Sequence, residues 1–254
     1  MSRTKSLQEL NVHKEKALQK LEAYFDSLIS SGDAKLTGKA DKLSYWIEDW
    51  VTFLDFESRF SPKSLRRYKR GEIIKVHLGF NVGSEEGGLH YAVVLDRNNA
   101  KSSPVVTIIP LTSVKSSTDL ANLKSGCVFL GNELFTNLNS KMSAKKKSII
   151  QELSTLHSLL EQLKKAEHPS QDEIDRLIDR ILKLDKELSL SKQIETEIKR
   201  MRQGSIALVG QITTISKIRI YDPKTDHDIL SGIKLSNEKL DLIDSEIHKL
   251  FTNA

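Results

Sequence analysis

Between Ile149 and Leu188 apolar residues recur in alternating steps of four and three, and the run is broken once, at His168-Pro169-Ser170. Ile149, Leu153, Leu156, Leu160 and Leu163 form the first series; Ile174, Leu177, Ile181, Leu184 and Leu188, then Ile194, Ile198 and Met201, form the second. Such spacing lays one apolar stripe along a helix, and two stripes joined across a proline predict two helices packed antiparallel, stripe against stripe. Ser170 followed by Glu173 has the form of a capping box opening the second helix. At about 1.5 Å per residue the arms would reach roughly 35 to 45 Å. A triplet, Lys145-Lys146-Lys147, falls where the first arm is expected to start, and there it would oppose the helix dipole.

The segments on either side of this hairpin have a different period. Ile74, Val76, Leu78 and Phe80 alternate with Lys75, His77 and Gly79, the pattern of a strand with one buried face. Further β-branched or apolar runs lie at Tyr91–Leu95, Val105–Leu111 and Cys127–Leu130, separated by turn-forming sequences such as Asp96-Arg97-Asn98-Asn99. After Gly204 strand patterning resumes over Ser205–Gln211 and Ile215–Tyr221, followed by an amphipathic helix capped by Ser236 with Leu240, Ile243, Ile247, Leu250 and Phe251 inward. Short strands at this spacing suggest a small barrel or a strongly bent sheet. The fold expected is α+β, with one discontinuous β-domain at residues 66–140 and 203–254, a helical hairpin inserted at 141–202, and a helical region at 1–62. In that first region Leu7, Leu10, Leu18, Leu21, Phe25, Leu28 and Ile29 mark one helix, and Leu43, Trp46, Ile47, Trp50, Val51, Leu54 and Phe56 a second. Both tryptophans are expected in a core.

Composition narrows the class. The chain has 254 residues, 39 Lys plus Arg against 34 Asp plus Glu, 38% hydrophobic content and one cysteine. That is enough apolar mass for a core, and a single Cys127 allows neither an internal disulfide nor a cysteine-built zinc site. Residues 1–16 are charged and lack the apolar centre of a signal peptide, and no apolar run approaches the ~20 residues needed to span a bilayer. A cytoplasmic protein is expected. A net charge of +5 permits a nucleic-acid partner without requiring one. The histidines His13, His77, His157, His168, His227 and His248 are scattered without ligand spacing, so neither a metal nor a cofactor is expected.

Several ordered segments together resemble the MazF/PemK toxins of bacterial toxin–antitoxin systems. They are Arg70-Gly71-Glu72-Ile73 at the first strand, Gly83-Ser84-Glu85-Glu86-Gly87-Gly88 in the loop after it, and Ser103-Pro104-Val105 leading to Ile109-Pro110-Leu111-Thr112-Ser113. Beyond the insertion come Gln211-Ile212-Thr213-Thr214-Ile215-Ser216-Lys217 and Arg219, and the last helix. The resemblance covers about half of the chain. It implies an SH3-like barrel that forms a homodimer, cuts single-stranded RNA without a metal through attack of the ribose 2′-hydroxyl, and is held in check by an antitoxin.

In that family an arginine usually follows the Gly-Gly-X of the loop, and a threonine ends the third strand. The threonine matches at Thr112; the arginine position holds His90, followed by Tyr91 where proline is usual. Histidine can act as acid or base near neutrality. On this reading His90 and Thr112 carry the chemistry, with Glu85 orienting His90. Ser84, Gly87, Gly88, Arg70, Ser113, Gln211, Lys217 and Arg219 are then expected to hold substrate. The basic run Lys63, Arg66, Arg67, Lys69 and Arg70 is either a solvated linker or a contact to RNA.

A different class stays open because the arginine is missing: a degenerate barrel that binds RNA or DNA, or regulates, without cutting, with His90 an ordinary strand-end histidine. The N-terminal helices are either an appended unit, the reading the sequence favours, or a built-in antitoxin-like cover, since amphipathic helices commonly dock in grooves. The leucine-striped hairpin, coiled-coil-like in pattern, is a core of its own, a dimerisation arm or an antitoxin docking site.

Overall fold

A computed structural model describes residues 5–166, 170–199 and 201–252. His168 and Pro169, expected to separate the two arms of the hairpin, lie outside the described residues. By their contacts the residues form two compact units, one of residues 1–60 with Gly79–Ser84 and the other of Ser61–Leu78 with Glu85–Ala254.

The first unit is built on helices α1 (Leu7–Ile29) and α2 (Ala34–Glu57). A complete capping box opens α1: Glu9 N donates to Ser6 Oγ at 3.2 Å and Ser6 N donates to Glu9 Oε2 at 2.7 Å. Asp33 caps α2, its Oδ1 accepting from the N–H groups of Lys35 and Leu36 at 2.6 and 3.1 Å. Between the helices the buried apolar residues are Leu28 and Ala40, while Leu7, Leu10, Leu18, Val51 and Leu54 stay exposed. Trp46 is partly buried and tilts against Phe53 at 6.2 Å between ring centroids. Trp50 departs from the core placement expected of it and is 50% exposed. The Lys39 ammonium donates to Tyr24 Oη at 2.7 Å and lies 5.9 Å from the ring centroid of Phe80, which belongs to this unit.

The second unit holds one seven-stranded sheet made of β1 (Ile73–His77), β2 (Leu89–Val94), β3 (Val105–Ser113), β4 (Cys127–Gly131), β5 (Ser205–Leu208), β6 (Thr213–Ser216) and β7 (Ile220–Asp222). The order is β4-β5-β3-β2-β1-β7, with β6 also paired to β3, and all of these pairings are antiparallel. The nine-residue β3 bends the sheet by changing partners along its length. Val105–Ile108 pair with β6, Ile108–Pro110 with β2, and Leu111–Ser113 with β5. Strands on both sides of the hairpin thus share one antiparallel sheet, and the α+β class stands.

Two departures from the sequence pattern matter for the site. The run 205–211 is strand only to Leu208, and 215–221 is broken by a 3₁₀ turn at Lys217–Arg219. The hairpin also starts early. Helix α3 runs Glu133–Lys164 and α4 runs Gln171–Lys199, so α3 begins well before residue 141. Leu134, Leu138 and Met142 are buried in the sheet's own core with Ile198 and Met201. Farther out, Ile149, Leu153, Leu160, Ile174, Ile181 and Leu184 make a separate core between the arms. Lys145–Lys147 consequently lie inside α3, where their distance from its first turn removes the dipole conflict, and Lys146 pairs with Glu195 at 3.1 Å. Ser170 Oγ accepts from Glu173 N at 3.4 Å, as the cap of α4 requires. A last helix, α5 (Asn237–Phe251), is capped by Ser236 and buries Leu240 and Ile243.

Candidate functional site

The turn into β2 requires glycine at residue 88, where φ is +84°; its carbonyl accepts from Leu78 N at 2.7 Å and fixes the start of the strand. Two residues on, His90 pairs with Val76 of β1. Extending the β2–β3 register from Ala92 opposite Pro110 by two residues brings His90 opposite Thr112, and opposed residues of an antiparallel pair share a face. Leu111 and Thr112 also meet β5, where Thr112 faces Ile206 and Ser113 faces Ser205.

Around these strand ends opens a cleft of about 390 Å³, within the roughly 300 to 1,000 Å³ usual for small-molecule sites. His90, Thr112, Ser113, Lys115 and Ser205 supply its polar lining; Tyr91, Leu134 and Met201 are among the apolar residues. Leu134 comes from the first turn of α3 and Met201 follows α4, so both roots of the hairpin wall the cleft.

His90 is held on both ring nitrogens. Its Nδ1 lies 3.2 Å from Leu111 O, and since a carbonyl only accepts, Nδ1 carries a proton and donates. Proton exchange must then occur at Nε2, which lies 3.5 Å from Glu86 Oε2. The carboxylate beside His90 is therefore that of Glu86, four residues earlier, rather than the Glu85 expected to orient it. Glu86 is itself placed by its backbone, whose N–H donates to Gln211 Oε1 at 3.4 Å. The hydroxyl groups of Thr112, Ser113 and Ser205 make no hydrogen bond with other described residues.

The basic residues expected to hold phosphate are mostly used inside the fold. Arg70 donates to Leu95 O at 2.9 Å and pairs with Asp244 of α5, at the end of β2 away from His90. Lys217 is buried because the 3₁₀ turn carries it inward: it is 1% exposed, its Nζ donates to Ala100 O at 2.9 Å, and burial pushes its pKa down. Arg219 donates from Nε to His77 O at 2.7 Å, and burial lowers its pKa as well. Arg66 is bound to Glu72 and Asp226. None of these lines the cleft, whose basic members are His90 and Lys115. Gly87 and Gly88 belong to the loop entering β2, and Ser84 ends the stretch that groups with the helices.

Of the residues singled out in the sequence, the fold brings together His90, Thr112 and Ser113, with Gln211 acting on Glu86. Lys115, Tyr91, Leu134, Met201 and Ser205 were missed. Only the i, i+4 spacing of Glu86 to His90 was a local signal; Ser205 reaches the cleft through strand pairing, which no local pattern announces.

Residues 69–184 match the family model of the PemK-like, MazF-like toxin of type II toxin-antitoxin systems. These residues, somewhat under half of the chain, carry a PemK-like, MazF-like toxin domain. The match opens just before β1 and ends within α4, so β5, β6 and β7 lie beyond it although they complete the same sheet. Comparison with curated proteins gives no match. Among the described residues no helix is long and apolar enough to cross a membrane.

Proposed function

We propose that the chain is an endoribonuclease toxin that cuts single-stranded RNA by attack of a ribose 2′-hydroxyl on the adjacent phosphorus, without a metal. The observation that carries this reading is the arrangement of Leu111 O, His90 and Glu86 beside the Thr112 hydroxyl. The Glu86 carboxylate takes the proton of the 2′-hydroxyl, the 2′-oxygen bonds to phosphorus, and the bond from phosphorus to the 5′-oxygen breaks. Protonated His90 gives its Nε2 proton to that leaving oxygen. The products are a 2′,3′-cyclic phosphate and a free 5′-hydroxyl. Glu86 ends protonated and His90 neutral, and proton return across their 3.5 Å separation restores both. Thr112 Oγ donates to a non-bridging oxygen as its charge grows, and Lys115 attracts the phosphate. Residues 66–140 with 203–254 would form the catalytic domain, acting as a homodimer under the control of an antitoxin, with the hairpin as an insertion.

The test is incubation of the full chain with a varied single-stranded RNA pool in excess chelator, with end-group analysis. Cleavage leaving cyclic phosphate ends is expected, and His90→Gln should reduce it about 10²- to 10⁴-fold, the range of one acid or base. An intact RNA pool with folded protein overturns the reading.

One observation favours the second class: the cleft holds no arginine. A module that binds nucleic acid without cutting would show binding that weakens with salt and yields no products.

A further inference from the structure

The two N-terminal helices carry a seam that is covered at one end and bare at the other. In α2, Leu36, Ala40, Leu43, Ile47, Trp50 and Leu54 follow one another in unbroken steps of four and three, and in α1 so do Leu7, Leu10, Lys14, Ala17, Leu21, Tyr24 and Leu28. That spacing marks a helix packed along its length on another helix. Near the turn between them the seam is closed, since Leu28 and Ala40 are buried and Lys39 bonds to Tyr24. Toward the free ends it opens: Leu7, Leu10, Trp50 and Leu54 are 49 to 81% exposed, and every residue from 5 to 20 is exposed. The α3–α4 hairpin of the same chain shows what two helices achieve when their seam closes, with the six residues of its core only 2 to 8% exposed.

The bare ends are opposite in charge. Residues 5–20 hold four lysines and two glutamates, whereas 46–57 hold Glu48, Asp49, Asp55 and Glu57 with neither lysine nor arginine. An antiparallel register that sets Leu10 against Leu54 also sets Lys14 against Trp50 and Ala17 against Ile47, and brings Lys16 level with Glu48. The result is apolar on apolar, an ammonium beside an indole and an ion pair at the flank. A second copy of the chain satisfies this register twice, because a two-fold axis lays the basic end of each α1 on the acidic end of the other α2. The same carboxylates work against RNA or another polyanion as the occupant.

We propose that the chain associates with a second copy of itself through these helices, the α1 of each copy packing antiparallel on the α2 of the other. The association is separate from any pairing of the sheet units and does not rest on the endoribonuclease reading.

The test uses the full chain carrying Cys127→Ser, which removes its one cysteine. Leu10→Cys and Leu54→Cys, placed in separately tagged copies and co-expressed, should form a mixed disulfide under mild oxidation, because facing seam residues come within the Cα separation of about 4.4 to 6.8 Å that a disulfide needs. Either variant expressed alone should give little covalent dimer. Both positions are exposed, so the substitutions leave the fold of one chain intact. The yield of mixed disulfide should fall as salt rises and fall again with Lys16→Glu, and Glu48→Lys added to Lys16→Glu should restore it. If the two cysteines placed in one chain link to each other in a monomer and no mixed disulfide forms, the hairpin closes on itself and the proposal is overturned. Absence of both disulfides overturns it as well and leaves the seam to a partner of a different kind.

Discussion

Arg66→Ala should destabilise the second unit strongly while leaving RNA binding alone. Nη1 and Nη2 of Arg66 lie 3.3 and 3.0 Å from the two oxygens of Glu72, and Nε lies 2.9 Å from Asp226 Oδ1. The side chains of Arg66 and Glu72 are 12% and 10% exposed, that of Asp226 79%. Burial works against the guanidinium charge, and the two carboxylates more than reverse it, leaving the pKa of Arg66 raised. Truncation leaves the Glu72 carboxylate buried, with the Lys69 N–H at 2.9 Å as its remaining hydrogen bond. Breaking one side of a buried pair typically costs about 3 to 5 kcal/mol. The exposed Asp226 arm adds about 0 to 1 kcal/mol. At about 2 to 4 °C per kcal/mol for a unit of this size, the midpoint should fall by roughly 6 to 24 °C. Urea and thermal unfolding followed by far-ultraviolet circular dichroism measure it, and Glu72→Gln placed in the Arg66→Ala background should recover part of the loss. A loss under about 1 kcal/mol, with a salt slope of RNA binding flattened by about 0.7, would show instead that Arg66 serves phosphate.

Lys115, exposed at the rim of the cleft, should behave in the opposite way. Lys115→Ala is expected to weaken RNA binding regardless of sequence and to flatten the salt slope by about 0.7, the share of one phosphate contact on a single strand, with no change in unfolding. An unchanged slope removes Lys115 from the interface. Acid stability tests the turn after β7. Burial would raise the pKa of Asp228, but N–H groups of Thr225 and Lys224 at 2.8 and 2.6 Å, with the Thr225 hydroxyl, leave it lowered. Its contribution is therefore complete above the unfolded carboxylate value of about 3.9 and is lost as pH falls through the lower folded value. Asp228→Asn should give a shallower decline of urea midpoint below about pH 4. Parallel acid limbs for the two proteins would count against this account.

The hairpin and both N-terminal helices were legible because a helix writes its buried stripe at local spacings of three and four. The start of α3 was hidden, since Phe135, Thr136, Asn137, Asn139 and Ser140 are middling helix formers whose helicity comes from burying Leu134 and Leu138 in the sheet core. His90 and Thr112 could be chosen because each ends a recognisable strand. The fate of a cation could not be read in the same way. Arg70 and Lys217 look alike as charges in sequence, but their positions are decided by distant carbonyls at Leu95 and Ala100. Ser205 is the clearest case of what sequence withholds, because its place beside Ser113 exists only once β5 has returned to β3 across the whole hairpin.

That return has an evolutionary side. Gly131 and Ser205 are register partners on neighbouring strands, so the chain leaves the sheet and comes back at a single point. Closing a longer excursion costs only logarithmically more, about 0.6 kcal/mol per doubling, and the leucine seam supplies the order of its own arms. The arms can therefore lengthen or shorten by matched turns without shifting a strand, provided that Leu134, Leu138, Met142, Ile198 and Met201 stay embedded. The outer hairpin is in effect an editable graft, free to diverge at its own pace, on a rootstock whose sequence the cleft constrains.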